Sequence, residues 1–145
     1  MAKRKRTQFK VTTPPYRVFV SHATYDKWVA TALCEKLEAV GVVTIRDDRD
    51  IEGGGDIPES IRESISQCSE VLVLISPQSV ERQWVVLEIG MAFMARKRIV
   101  PILLHATADQ LPGIIDKKRA FDINQFDAYL ADLLKRKETH DSKTH

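Results

Sequence analysis

The sequence has few cysteines and no long apolar run. Only two of its 145 residues are cysteines, and no apolar stretch approaches the roughly 20 residues that cross a membrane. The N-terminus is basic, but the apolar stretch that a secretory signal requires does not follow it. Cys34 and Cys68 lack the CxxC or Cys/His spacing of a metal or redox site. We therefore expect a soluble, cytoplasmic protein whose thiols are reduced and buried.

Positive charge is concentrated at the start of the chain. Five of the 22 basic residues lie before position 11, where there is no acidic residue. The remaining 17 basic residues stand against 20 acidic ones, a net charge of −3, so nucleic acid is not an expected partner of the folded part. We predict a disordered basic tail over residues 1–13, one domain over 14–137 and a polar C-terminal tail over 138–145.

Apolar patterns of strand and helix type alternate along the rest of the chain. They predict strands at residues 16–21, 42–45, 71–75, 99–104 and 120–122, although Pro101 is awkward in the fourth. They predict helices from 28 to a stop at Gly41, from 57 to 68, from an N-cap at Ser79 to about Arg96, and from a cap at Asn124 to 137. This alternation is typical of α/β proteins with a parallel sheet and helices on both faces.

A ligand site is expected where the first and third strands end. If the strand order is flavodoxin-like, these two strands are neighbours and ligands bind beyond their carboxyl ends. Those ends are Ser21-His22 and Ser76-Pro77, next to the predicted helix that carries Glu88.

Glu88 has only apolar neighbours three and four positions away on its helix, namely Trp84, Val85, Met91 and Ala92. A carboxylate pressed against apolar surface costs several kcal/mol unless something compensates its charge. Two explanations stay open at this point. Either a distant Arg or Lys pairs with it, or it faces a cavity that holds a ligand.

Four motifs, in this order, resemble those of the TIR (Toll/interleukin-1 receptor) domain family over residues 16–137. They are Val18-Phe19-Val20-Ser21-His22 with Asp26-Lys27, the loop Asp47-Asp48-Arg49-Asp50-Ile51-Glu52-Gly53-Gly54, the strand end Leu74-Ile75-Ser76-Pro77, and Trp84-Val85-Val86-Leu87-Glu88. The resemblance implies a flavodoxin-like TIR fold with a five-stranded parallel sheet, in which residues 46–56 form the family's mobile "BB loop". Within the family, the sequence resembles the prokaryotic members, which often serve in antiphage defence or interfere with host signalling.

Enzymatic TIR domains cleave the nicotinamide-ribose bond of NAD with a glutamate at the position of Glu88. The resemblance therefore implies an NAD glycohydrolase that gives nicotinamide and ADP-ribose or a cyclic ADP-ribose isomer. NAD is then the substrate, and no cofactor or metal is expected. By the same resemblance His22, Ala23 and Arg49 line the NAD site, without an acid-base role for the histidine.

Two more residues are candidates for substrate binding from their places on the helix of Glu88. Arg82 lies in the first turn, where side-chain charge and exposed amides attract phosphate. Trp84 lies one turn before Glu88 and could shield the sugar or stack on a ring. An ordinary solvated arginine and a core tryptophan are the alternatives.

The BB loop has no aromatic residue between positions 46 and 56 but contains Gly53, Gly54 and Gly55, whose backbone can move or approach a ligand closely. Ordering such a loop costs about 1 to 2 kcal/mol per residue. Assembly with other TIR domains would supply that ordering. The resemblance therefore predicts weak activity in the monomer and stronger activity in a homo-oligomer or filament.

Two other functions fit the same residues. The first is a non-enzymatic TIR adaptor that acts only through TIR–TIR assembly and would tolerate the loss of Glu88. The second is a nucleoside deoxyribosyltransferase-like enzyme, which has a similar sheet and a nucleophilic glutamate and would exchange bases on nucleosides.

Overall fold

The computed structural model describes residues 14–46, 59–79, 83–115 and 118–144. Its strands are β1 Arg17–Ser21, β2 Val43–Arg46, β3 Glu70–Ile75, β4 Arg98–Leu103 and β5 Phe121–Asp122. Its helices are α1 Lys27–Ala39, α2 Glu59–Gln67, α3 Gln83–Met94 and α4 Phe126–Asp141. Each predicted strand and helix is present within a few residues of its predicted bounds. The last helix continues past the predicted domain end at residue 137.

The five strands form one parallel sheet in the order β2-β1-β3-β4-β5. This is the flavodoxin-like order, so the predicted α/β fold is confirmed. The first and third strands are neighbours, and Ser21 at the end of β1 lies opposite Val73 of β3. The predicted switch point therefore exists at the carboxyl ends of these two strands.

Helices cover both faces of the sheet, each over its own apolar layer. α1 and α4 pack on the face that carries Val18, Val20, Leu72 and Leu74. α2 and α3 pack on the opposite face, over Phe19 of β1 and over the alternate β3 residues Val71, Val73 and Ile75. Because β3 is covered on both sides, every one of its residues is buried, which explains its uninterrupted apolar run.

Pro101 fits into β4 because of the direction in which its nitrogen points. The Leu104 N–H donates to the Ile75 carbonyl of β3, and successive residues of a parallel strand direct their N–H groups to alternate neighbours. The Pro101 nitrogen therefore faces the β5 side, where pairing begins only at Ile102. The missing donor removes no hydrogen bond to β3.

A buried ion pair that the sequence analysis did not anticipate lies at the amino end of the sheet. Arg136 of α4 donates to both carboxylate oxygens of Glu70, at 2.8 and 3.0 Å, and the hydroxyls of Tyr16 and Tyr129 donate to the same oxygens at 2.6 and 2.5 Å. Glu70 is fully buried. Arg136 also pairs with Asp132, whose pKa it lowers. The four donors compensate the buried charge of Glu70.

α1 and α3 end in the same Schellman motif, in which the residue after the helix is left-handed. Gly41 takes this place after α1 with φ of 88°, and Arg96 takes it after α3 with φ of 59°. At the end of α1, the N–H groups of Gly41 and Val42 donate to the carbonyls of Glu38 and Leu37, respectively. At the end of α3, the N–H groups of Arg96 and Lys97 donate to the carbonyls of Phe93 and Ala92 in the same way. The predicted stop at Gly41 is therefore present, while a non-glycine residue ends α3.

The cap predicted for the last helix is wrong. Gln125, not Asn124, is the residue at the N-cap of α4, and it makes no side-chain cap bond there. The side-chain cap is Asp122, which caps the turn before α4: its carboxylate accepts the Asn124 N–H at 2.9 Å and Gln125 completes a capping box. A short 3-10 turn over Ile123–Gln125 precedes α4 and moves the cap two positions earlier. The predicted N-cap of α3 at Ser79 stays a prediction, because residues 80–82, between Ser79 and α3, lie outside the described residues.

In the part of the chain that is described, no helix combines the length and apolar character needed to span a bilayer.

Candidate active site

Glu88 and Ser21 meet at the predicted switch point. Ser21 is the last residue of β1, and its hydroxyl donates to Glu88 Oε1 of α3 at 2.5 Å. Both side chains are 1% exposed. A hydrogen bond donated to a carboxylate oxygen in a buried place fixes its orientation and stabilises its charge. Glu88 is thus held at the carboxyl end of the sheet, while the buried ion pair of Glu70 lies at the amino end.

His22 and Ala23 continue from β1 directly beside this pair. Both are buried, and His22 Nδ1 lies 2.8 Å from the Ala23 carbonyl oxygen. Because a carbonyl oxygen only accepts, Nδ1 carries the proton and donates it. This bond fixes the tautomer and the ring orientation. His22 and Ala23 therefore directly follow Ser21, the residue that bonds Glu88, and the His22 ring is held by the backbone carbonyl of the next residue.

A second buried polar group lies at the predicted end of β3, where Ser76 bonds two residues that were not predicted as its partners, Asp26 and Ser79. The Ser76 hydroxyl donates to Asp26, which precedes α1. Ser76 and Ser79 also bond each other, since the Ser76 N–H donates to the Ser79 hydroxyl at 2.8 Å and the Ser79 N–H donates to the Ser76 hydroxyl at 3.1 Å. These bonds tie the exit of β3 to the exit of β1. The signal for them was the pair of serines that end the two neighbouring strands.

The other predicted substrate contacts are only partly described. Trp84 lies in α3, one turn before Glu88, and its side chain is outside the described part of the structure. Arg49, Arg82 and the triple glycine at 53–55 also lie outside the described residues. Their predicted roles remain predictions.

The burial of Glu88 limits what can reach it. Because Glu88 is 1% exposed, its carboxyl group can contact a ligand only after neighbouring residues move. A buried carboxyl group that becomes exposed to a ligand acts in a region of low dielectric, where its charge interacts strongly with a developing positive charge. A carboxylate in this place can therefore stabilise a positive charge that develops on a nearby group.

Comparison with known proteins decides the family. The family model described as "TIR domain" matches residues 18–134. The chain belongs to the TIR domain family. The match covers both strand ends of the site and all of α3.

Two relatives with named activities are similar to this TIR domain. The NAD(+) hydrolase PdTIR of Paracoccus denitrificans is 28% identical over 134 residues, which are 85% of this chain and 44% of that protein. The 2' cyclic ADP-D-ribose synthase BtTIR of Bacteroides thetaiotaomicron is 30% identical over 115 residues, 72% of this chain and 40% of that protein. The matched part is therefore less than half the length of these curated relatives.

A solved structure supports the fold assignment. The TIR domain of the Toll-related receptor TRR-2 from Hydra magnipapillata superposes with a TM-score of 0.66 at 22% identity. The superposition covers 83% of this chain and 97% of that one. At this identity the likeness concerns the fold alone.

Proposed function

We propose that this TIR domain cleaves the nicotinamide-ribose bond of NAD, with Glu88 as the catalytic residue. Breaking this bond passes through a sugar with oxocarbenium character, as glycoside hydrolysis does. Nicotinamide leaves as a neutral base, so no acid is needed to protonate it. A single carboxylate that orients the ribose hydroxyls and stabilises the cationic sugar is then sufficient.

The buried Ser21–Glu88 pair is the observation that carries this proposal. A carboxyl group enclosed by apolar residues is costly, and here it stands at the sheet end where ligands bind in this topology. The fold already contains a well-compensated structural carboxylate in Glu70, which has two tyrosines and an arginine around it. At Glu88 the Ser21 hydroxyl donates to Oε1, and this bond orients the carboxyl group.

The relatives support the same reaction but leave its product open. One is named a hydrolase of NAD and the other a synthase of a cyclic ADP-ribose, and the cleavage proposed here could lead to a product of either kind. Linear ADP-ribose forms if water attacks the sugar, and a cyclic isomer forms if a group of the same molecule attacks first. The product depends on the access of water to the opened site.

We propose further that a second copy of the chain opens the site. Glu88 is enclosed in the single chain, so some rearrangement must precede catalysis. Two large aromatic side chains just after the β1 exit are exposed to solvent, Tyr25 by 73% and Trp28 by 83%. Aromatic residues are enriched at protein interfaces. A contact there would reach the β1 exit through Ala23 and His22.

The experiment is NAD consumption followed by product chromatography over a protein concentration series. Wild type is expected to consume NAD with a specific activity that rises with concentration, and Trp28→Ala is expected to lessen that rise. Glu88→Ala is expected to be inactive at every concentration. A specific activity that is independent of concentration would contradict the role of assembly while leaving the reaction in place.

One observation favours the adaptor as a second candidate function, namely the enclosure of Glu88 itself. If neither wild type nor Glu88→Ala consumes NAD at the highest concentration, and Glu88→Ala still self-associates as wild type does, the domain is an adaptor. Release of a base from nucleosides, with NAD untouched, would instead identify the deoxyribosyltransferase-like reaction.

A further inference from the structure

The amino end of the sheet carries a concentration of positive charge that the proposed reaction does not use. Two clefts open there and share Lys97 and Arg136. Among the described residues, nine basic side chains line the two clefts, against one acidic side chain, Asp132. The chain after position 10 has a net charge of −3, so this is a local concentration on an otherwise acidic domain.

The cleft of about 700 Å³ beside β4 and β5, the β4–β5 cleft, is the more basic of the two. Its cations come from three parts of the chain: the α3–β4 turn, the segment before β5, and α4. They are Arg96, Lys97, Arg98, Lys118, Arg119 and Arg136. Among the described residues, only Arg136 of these six forms an ion pair, with Glu70 and Asp132.

A ring contact holds part of this charge in place. Arg119 lies over the ring of Phe121, with its guanidinium carbon 5.1 Å from the ring centre, so its charge is kept at the mouth of the cleft. Arg119 and Arg98 act together with Arg136 to lower the pKa of Asp132. Arg96 occupies a left-handed position where glycine is the unstrained residue.

We propose that the β4–β5 cleft binds a compact chain of phosphates, such as the triphosphate of a nucleotide or inorganic tripolyphosphate. Guanidinium groups match phosphate oxygens in pairs, and lysines add point charge. Several cations around one concave site of this size suit a small ligand with three or more negative charges. A nucleic-acid duplex requires a larger and more open surface. The cleft lies roughly 20 Å, the length of β3, from the carboxyl-end site of Glu88.

The test uses the full chain carrying Glu88→Ala, so that no NAD reaction interferes. Tripolyphosphate, ATP and AMP are titrated by calorimetry at low and at moderate salt. We expect saturable one-to-one binding of tripolyphosphate and ATP with similar affinity, weakening as salt rises, and binding of AMP that is weaker by at least about tenfold. Amide chemical shifts should change at residues 96–98 and 118–119.

A pair of double variants separates this site from general charge. Arg98→Ala with Lys118→Ala is expected to weaken tripolyphosphate binding by at least about tenfold, because it removes two unpaired cations from the cleft. Lys36→Ala with Arg62→Ala removes the same charge from exposed positions on α1 and α2 and is expected to leave the affinity within about twofold.

Four outcomes would overturn the proposal. They are no saturable binding at low salt, equal loss in the two double variants, AMP binding as tightly as ATP, and stronger binding of a duplex oligonucleotide than of tripolyphosphate. The third would indicate recognition of the nucleoside, and the fourth would make nucleic acid the ligand. Circular dichroism of each variant confirms that it is folded before binding is measured.

Discussion

Replacing Arg136 by alanine should destabilise the fold far more than the same change at another helical arginine. Arg136 donates two hydrogen bonds to Glu70, a carboxylate with no exposed surface, and its own side chain is 19% exposed. Removing one partner of a buried ion pair costs about 3 to 5 kcal/mol because the remaining charge is uncompensated. The hydroxyls of Tyr16 and Tyr129 remain, so we expect the lower end, about 3 kcal/mol.

Arg62 provides the matched control. It also donates to both carboxylate oxygens of a glutamate, Glu59, and it also lies on a helix, but the two side chains are 67% and 73% exposed. The Arg62→Ala change is expected to cost no more than about 0.5 kcal/mol, since water and salt screen exposed pairs. The two variants therefore differ in burial while the chemistry of the change is the same.

Urea unfolding monitored by circular dichroism measures both costs. With a slope of about 2 kcal/mol per molar urea, the Arg136→Ala midpoint should fall by about 1.5 M, and the Arg62→Ala midpoint should stay within about 0.25 M of wild type. Adding Glu70→Gln to Arg136→Ala should recover part of the loss, because it removes the uncompensated charge. A cost below about 1 kcal/mol for Arg136→Ala, or a double variant less stable than the single one, would refute this reasoning.

Three more predictions follow from other contacts. Burial and the charge of Glu70 raise the pKa of the Tyr16 and Tyr129 hydroxyls above the usual value of about 10. The two hydroxyls therefore contribute fully to stability below pH 10, and this contribution is lost as the pH rises above 10. Urea unfolding between pH 8 and 11 should show this fall, and Tyr16→Phe should make it shallower; an equal slope in the variant would argue against it. Ser21→Ala should lower kcat for NAD cleavage by about 10- to 100-fold with little change in KM, because it removes one hydrogen bond to the Glu88 carboxyl group. An unchanged kcat would exclude a positioning role for Ser21. Arg96→Gly should raise the free energy of unfolding by about 0.5 to 1 kcal/mol in the same assay, because it relieves the strain of an arginine in the left-handed backbone conformation. A loss of stability would mean that the Arg96 side chain stabilises the fold by more than this strain costs.

The sheet and the location of the site could be predicted because both depend on local patterns. The apolar run at residues 71–75 identifies a strand covered on both faces, and the alternation of strands with helices leaves few topologies. Within the flavodoxin-like order, the ends of the first and third strands must be adjacent. That rule alone brings Ser21 next to the helix of Glu88, where the structure has it.

The buried network around Glu70 could not be predicted because its members are far apart in the sequence. Tyr16, Tyr129 and Arg136 are separated from Glu70 by 54, 59 and 66 positions. Tyr16 precedes β1, Glu70 begins β3, and Tyr129 and Arg136 lie on α4. No local pattern distinguishes a glutamate at a strand start that is enclosed by such partners from one that is solvated. Of the two buried glutamates, Glu70 forms an ion pair with Arg136, and Glu88 accepts a hydrogen bond from Ser21.

The error at the last helix has a local cause. Asp and Asn are both good N-cap residues, and the sequence places one at position 122 and the other at 124. Pattern alone does not show that a 3-10 turn precedes the α-helix, yet this turn selects the earlier residue.

The most direct test of the catalytic role of Glu88 compares nicotinamide release by Glu88→Gln and Glu70→Gln. Both changes neutralise a buried glutamate with little change of shape, at opposite ends of one sheet. Proton NMR of NAD mixed with concentrated protein, at a temperature where both variants are folded, follows free nicotinamide as it accumulates. We predict that Glu88→Gln is slower than wild type by about 100- to 1000-fold and that Glu70→Gln stays within a few fold. Equal release by wild type and Glu88→Gln would contradict the assignment of Glu88 as the catalytic residue.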